Sequence, residues 1–162
     1  GTGARGMTER FDLTDQPGAP LLRLFYTSSA IARLGARELA LACEKRNREA
    51  GITGVLLRVD ATYLQVIEGA PKAIAETFER ICCDLRHRNL ALLEIEPADE
   101  RIFGDWSMGH VGDSESLTIA LRDDLEDIRL LAGVNAHNTV LRMRQLLDAV
   151  RARDLEVRNR AA

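Results

Sequence analysis

The sequence predicts an α+β fold, a small sheet with two helices on one face followed by two further helices. Three observations carry this. Apolar residues alternate in five short stretches and recur at helical spacing in two longer ones, in the order β-α-β-β-α-β-β. A glycine stands where the first helix must stop, and a proline where the second must start. After Val111 the alternation gives way to acid-rich and then arginine-rich helical spacing.

Residues 1–20 read as a remnant (Gly1–Gly6, ahead of a native start at Met7) and a polar lead-in containing Asp15, Pro17, Gly18 and Pro20. Leu21–Ser28 is the first strand, with Leu22, Leu24 and Tyr26 on one face and Arg23, Phe25 and Thr27 on the other. The first helix is expected over about Arg33–Ala50, with Gly51 as its stop. Ile52–Val59 and Thr62–Ile67 form a hairpin turned at Asp60-Ala61. Gln65 lies between Leu64 and Val66 and so shares a face with Tyr63 and Ile67. If that face is the core, its amide must find partners there. The second helix opens at Pro71 and spaces Ile74, Phe78, Ile81, Cys82 and Leu85 along one face. Leu90–Ile95 is strand four. Phe103–Val111 is strand five, with Trp106, Met108 and His110 on one face and Phe103, Asp105 and Ser107 on the other.

This order is the ferredoxin-like arrangement with an extra strand. Right-handed crossovers put both helices on one side, so the end of the first helix, with Arg46 and Asn47, faces Tyr26 and Gln65 across a narrow cleft. Residues 21–111 form the sheet domain and 112–162 a helical extension, with helices over Ser114–Ala132 and from Asn138 to about Arg158. Their opposite charge suits packing on each other or on a partner.

Composition fits a cytoplasmic globular protein: 162 residues, 46% hydrophobic, with a net charge of −3 that supports neither a nucleic-acid nor a membrane-surface partner. Cys43, Cys82 and Cys83 lack metal-ligand spacing and read as buried apolar residues of a reducing compartment. There is no signal-peptide core and no apolar run of about 18 residues.

Catalytic patterns are poorly represented. Ser28 and Ser29 follow a strand without a nucleophile elbow, and His87 and His110 have no evident acidic orienter. Glu68 reads as the close of a strand and Asp84 as a helix end rather than an acid–base pair. The three histidines are far apart, so no metal site is expected. There is no phosphate-cradling glycine loop. What remains is a polar set in an apolar frame: Tyr26, Asn47, Gln65, then Arg46, Trp106 and Met108. Singly, each has an ordinary structural explanation; together they suit a flat heteroaromatic ring.

The chain resembles the BLUF domain, a flavin-binding blue-light sensor found mainly in bacteria. The matching residues are Tyr26-Thr27-Ser28, Asn47 followed by Gly51-Ile52-Thr53-Gly54, and Tyr63-Leu64-Gln65-Val66-Ile67-Glu68-Gly69. They continue with Asp84-Leu85-Arg86-His87 and Arg101-Ile102-Phe103-Gly104-Asp105-Trp106-Ser107-Met108. Five motifs in order, over about Leu21 to Gly109, make the resemblance specific.

The resemblance implies FAD between the two helices, its ring held by Asn47 and Arg46, with Ser28, Asp84, Arg86 and His87 as further binding positions. It implies Tyr26 and Gln65 as the photoactive pair, with Trp106 and Met108 exchanging places near the ring. Excited flavin oxidises the phenol, and Gln65, carrying donor and acceptor atoms, relays the proton and returns reoriented. A new hydrogen bond to the flavin then gives the family's small red shift. Nothing turns over, so the expectation is a switch and not an enzyme. Output is expected through strand five and the terminal helices, to a dimer interface or a separate signalling protein, with no effector enzyme fused. The readings set against this are a flavin-free ferredoxin-like binding or oligomerisation module and a flavin reductase.

Overall fold

The structure is a computed structural model describing residues 20–30, 36–83, 87–111 and 119–161. The elements are β1 (Leu21–Ala30), α1 (Ala36–Ala50), β2 (Thr53–Val59), β3 (Thr62–Gly69) and α2 (Pro71–Cys82). They continue with β4 (His87–Ala98), β5 (Gly109–Val111), α3 (Ile119–Ala132) and α4 (Ala136–Ala161). The ferredoxin-like order read from the sequence is present, as are the two additional helices.

The sheet runs β4-β1-β3-β2-β5. Every neighbouring pair is antiparallel except β2 and β5, which run parallel, so the sheet is mixed. One face buries Leu22, Leu24, Tyr26, Leu56, Tyr63 and Ile67 beneath α1 and α2, which contribute Leu39, Ala40 and Ile74. The opposite face buries Phe25, Val55, Leu57, Leu64 and Val66 beneath Leu125, Ile128, Val140, Met143 and Leu147 of α3 and α4. Alternation in β1 and β3 thus fills two cores, one per face. The acid-rich and arginine-rich helices pack on each other and on the sheet.

The punctuation behaves as chemistry requires. Gly51 has φ 69, a left-handed residue just past α1, and Ile52 N donates to Asn47 O at 2.7 Å. Asp60 turns the hairpin with φ 54. A Cβ on Gly54 would lie 2.1 Å from Val66 O, so only glycine allows β2 to approach β3 there.

Four sequence expectations need correction. Strand five spans only Gly109–Val111; residues 103–107 form turns, with Trp106 N donating to Phe103 O at 3.2 Å. Strand four is longer than Leu90–Ile95, and a register shift in its pairing with β1 falls between Phe25 and Tyr26. The last helix starts at Ala136 rather than Asn138, because the Asn135 side chain caps it, accepting from Asn138 N at 3.1 Å. Cys82 and Cys83 are exposed, because Thr77 rather than Cys82 joins Ile74 on the buried side of α2. Leu85 and Leu117 lie outside the described residues.

Candidate functional site

The site lies where α1, α2 and the sheet meet. In the register of β1 with β3, Tyr26 stands directly opposite Gln65. Directly opposed residues of an antiparallel pair project from the same face about 5 Å apart at Cβ, so phenol and amide are neighbours by construction. Both are buried, Tyr26 at 0% exposure and Gln65 at 4%. Phe78 of α2 holds the Tyr26 ring edge-on, centroids 5.6 Å apart.

Gln65 Nε2 points at Met108 Sδ, 3.9 Å away. A thioether is a weak acceptor, so this contact holds the amide lightly. Asn47, in the last turn of α1, is buried and donates from Nδ2 to Ser107 O at 2.8 Å. The cleft between the helices is lined by Asn47, Gln65, Met108, Thr77, Ile67 and Ile81, with a cavity volume of about 80 Å³. Arg46 and Arg80 stand at its mouth, where it meets a wider depression between the outer ends of α1 and α2.

Trp106 is placed elsewhere. It packs against the α3/α4 core, its ring under Arg144 at 4.6 Å and Arg151 at 5.6 Å. The strand reading put Trp106 and Met108 on one face; because residues 103–107 turn, they lie on opposite faces of the sheet. Ser28 is buried two residues beyond Tyr26 and pairs with Tyr63. Asp84 and Arg86 lie outside the described residues, and His87 opens β4.

The sequence reading missed the anchor of the loop that carries Ser107 and Met108. Glu68, 1% exposed, accepts from Arg23 Nε at 2.7 Å, Ile102 N at 2.8 Å and Phe103 N at 2.7 Å. Arg101 adds bonds to Thr53 Oγ1 at 2.8 Å and Gly51 O at 2.7 Å. Thr77 was also unassigned, although the spacing from Ile74 puts it on the same side of α2 as Ile81, which was read as part of the buried face. Although Cys82 is exposed, partial desolvation of its sulfur, then Cys83 and Glu79, push its thiol up, away from the reactive thiolate.

Residues 21–109 match the family described as sensors of blue-light using FAD, BLUF. The chain belongs to the BLUF family. Among curated relatives, it is 37% identical over 71 residues to the photoactivated adenylate cyclase subunit beta of Euglena longa, 44% of this chain and 8% of that protein. It is 31% identical over 71 residues, 44% of this chain, to the blue light- and temperature-regulated antirepressor BluF of Escherichia coli, covering 18% of it. The chain therefore spans less than a fifth of the length of either. Among solved structures, the dark state of the BLUF protein BlrB is 31% identical with a TM-score of 0.66, over 82% of this chain and 98% of that one. The photo-activated state of BlsA is 26% identical with a TM-score of 0.64, over 78% and 94%.

BLUF membership makes FAD the chromophore and the role that of a flavin photoreceptor. The chemistry of the cleft's lining suits such a ring: two buried side-chain amides offer donors and acceptors to a polar edge, and Ile67, Ile81 and Met108 supply apolar walls. Among the described residues, no helix is long and apolar enough to cross a membrane.

Proposed function

We propose that this BLUF chain senses blue light by reorienting Gln65, with Tyr26 as the electron and proton source, and that the terminal helices pass the change to a dimer interface or a separate signalling protein. When bound, FAD supplies the blue absorption and an excited state that is a strong oxidant. Asn47 and Gln65 would hold its ring, with Arg46 at the mouth. Ser28, Asp84, Arg86 and His87 are proposed as further binding positions.

The single observation that carries the reading is the opposed Tyr26–Gln65 pair, in which Gln65 lines the cleft and Tyr26 lies buried beside it. Over one cycle Tyr26 gives up and recovers an electron and its Oη proton. Gln65 can accept that proton at Oε1 and donate from Nε2, the two functions a relay needs. Its present donor contact is to a thioether at 3.9 Å, so turning the amide forfeits little. Met108 loses or keeps that contact accordingly, and Met108 sits on the loop whose other residues touch α4. Trp106, held on the α4 side, belongs to the output end of this path rather than to the ring's surroundings.

Absorption spectroscopy tests the proposal. The purified chain should show flavin bands that shift slightly red under blue light and relax in the dark. Gln65→Leu and Tyr26→Phe should each keep the flavin and lose the shift. A colourless protein that takes up no FAD, or a shift that survives both substitutions, overturns it.

A further inference from the structure

On the sheet face away from the cleft, two glutamates of β4 and the histidine in the first turn of α4 converge. Glu94 and Glu96 are two residues apart on one strand and oppose Phe25 and Arg23, so both project toward α4. His137 Nδ1 lies 3.3 Å from Glu96 Oε2 and 3.8 Å from Glu94 Oε1. The donor atoms of all three lie within 4.8 Å of one another.

We propose that Glu94, Glu96 and His137 form a site for Zn²⁺ or a divalent ion of the same chemistry, which staples α4 to β4. An ion at the centre of a triangle with such edges lies at most about 2.4 Å from each donor, against roughly 2.0–2.2 Å for zinc bonds, so small side-chain adjustments complete it. One imidazole and two carboxylates select a borderline ion over Mg²⁺ or Ca²⁺, which prefer all-oxygen sets. His137 is 52% exposed, leaving an entry path and room for water at the remaining positions.

Charge points the same way. Arg23 is the nearby cation, 3.4 Å from Glu96, but its closer partner is Glu68 at 2.7 Å. Those two cancel, and Glu94 and Glu96 remain as two negative charges that a divalent ion neutralises. Arg23, fixed by Glu68, orients Glu96 from behind as a supporting group does at metal sites. The sequence spacing did not reveal the set because His137 is 41 residues from Glu96.

The proposal does not rest on the light-switch reading, so it is tested apart from it. The full chain, tag-free and stripped with EDTA, is titrated calorimetrically with ZnCl₂ in a Cys82→Ser/Cys83→Ser background, which removes the exposed thiols as rival ligands. A single Zn²⁺ per chain should bind in the micromolar range or tighter, and the unfolding midpoint should rise with zinc. His137→Gln and Glu94→Gln should each weaken binding at least about tenfold. Both should keep the parent's circular dichroism in EDTA, since neither side chain is fully buried. No binding below about 1 mM, or binding that His137→Gln leaves intact, overturns the site.

Discussion

Glu68→Ala is the sharpest probe of how the cleft is built. The carboxylate is 1% exposed; its Oε2 accepts from Arg23 Nε and Ile102 N, and its Oε1 from Phe103 N. Truncation leaves two backbone donors without their acceptor, each worth about 1–3 kcal/mol, and strands a buried guanidinium, for which about 3–5 kcal/mol is typical. These costs overlap, and Arg23 keeps Glu96 at 3.4 Å and Glu100 O at 2.9 Å, so the total should fall near the lower figure. About 3 kcal/mol in a chain of this length lowers the melting midpoint by roughly 6–12 °C. Glu68→Gln should lose less, because its oxygen can keep the two Oε2 donors while its NH₂ meets Phe103 N–H. Arg48→Ala, which breaks an exposed Glu44–Arg48 pair at 2.6 Å, is the control and should cost under about 0.5 kcal/mol. Urea unfolding of the three variants decides it. A Glu68→Ala loss below about 1 kcal/mol would refute the claim that this carboxylate anchors the loop.

Three further outcomes follow from particular contacts. Gly54→Ala puts a methyl 2.1 Å from a backbone carbonyl that cannot yield, and should cost about 3 kcal/mol or more of unfolding free energy and reduce flavin retention. Arg144→Ala removes a guanidinium 4.6 Å over the Trp106 ring and a bond to Ile102 O. A loss of about 1–2 kcal/mol is expected, with red-shifted emission from the chain's single tryptophan, and Arg151→Ala should do less from 5.6 Å. Glu94→Gln should change the pH profile of the melting midpoint. Because the folded state raises Glu94 above 4.5, the native protein holds that proton more tightly, and stability falls as pH rises through the raised value. The substitution removes that fall. Burial pushes Glu96 up as well, but the hydrogen bond from Glu94, with His137 and Arg23, outweighs it and leaves Glu96 low. Its contribution is present above 4.5 and lost only as pH drops through the lowered value, so the acid side of the profile should persist.

What the sequence made legible follows the reach of periodicity. Alternation in β1 and β3 put Tyr26 and Gln65 on one face, and the stop at Gly51 put Asn47 at the end of α1, because those residues sit inside regular elements. Residues 103–107 have no such constraint. Their path is decided by Glu68, 34 and 35 residues earlier, receiving two amides of the loop. An isolated acid at a strand end gives no sign of that in the sequence. The separation of Trp106 from Met108 has the same origin: an extended run would align them, and a turn does not. Asn135 was visible as a cap residue in hindsight, lying three positions before the donor it accepts from.

The loop from Arg101 to Met108 crosses from one face of the sheet to the other, and its contacts divide accordingly. Met108 and the Ser107 carbonyl meet Gln65 and Asn47 on the cleft side. Ile102 O, Asp105 and Trp106 meet Arg144 on the α4 side. Between them the Trp106 carbonyl accepts from Gly54 N at 3.0 Å, which fixes the crossing point to β2. In the proposed switch, a change in the Gln65 amide would reach α4 through a few bonded residues rather than through the packed sheet, where interdigitated cores resist displacement. The anchor and the lever are distinct: Glu68 and Arg101 hold one end of the loop rigidly, while the Gln65–Met108 contact at the other end is weak enough to change. Strengthening that end is the discriminating perturbation. Met108→Gln offers an amide oxygen to Gln65 Nε2, a neutral bond worth about 1 kcal/mol. It should slow or reduce the light-induced shift, as read by the amplitude and recovery rate of the difference spectrum at matched flavin occupancy. An unchanged amplitude and rate would mean that Met108 does not restrain the amide.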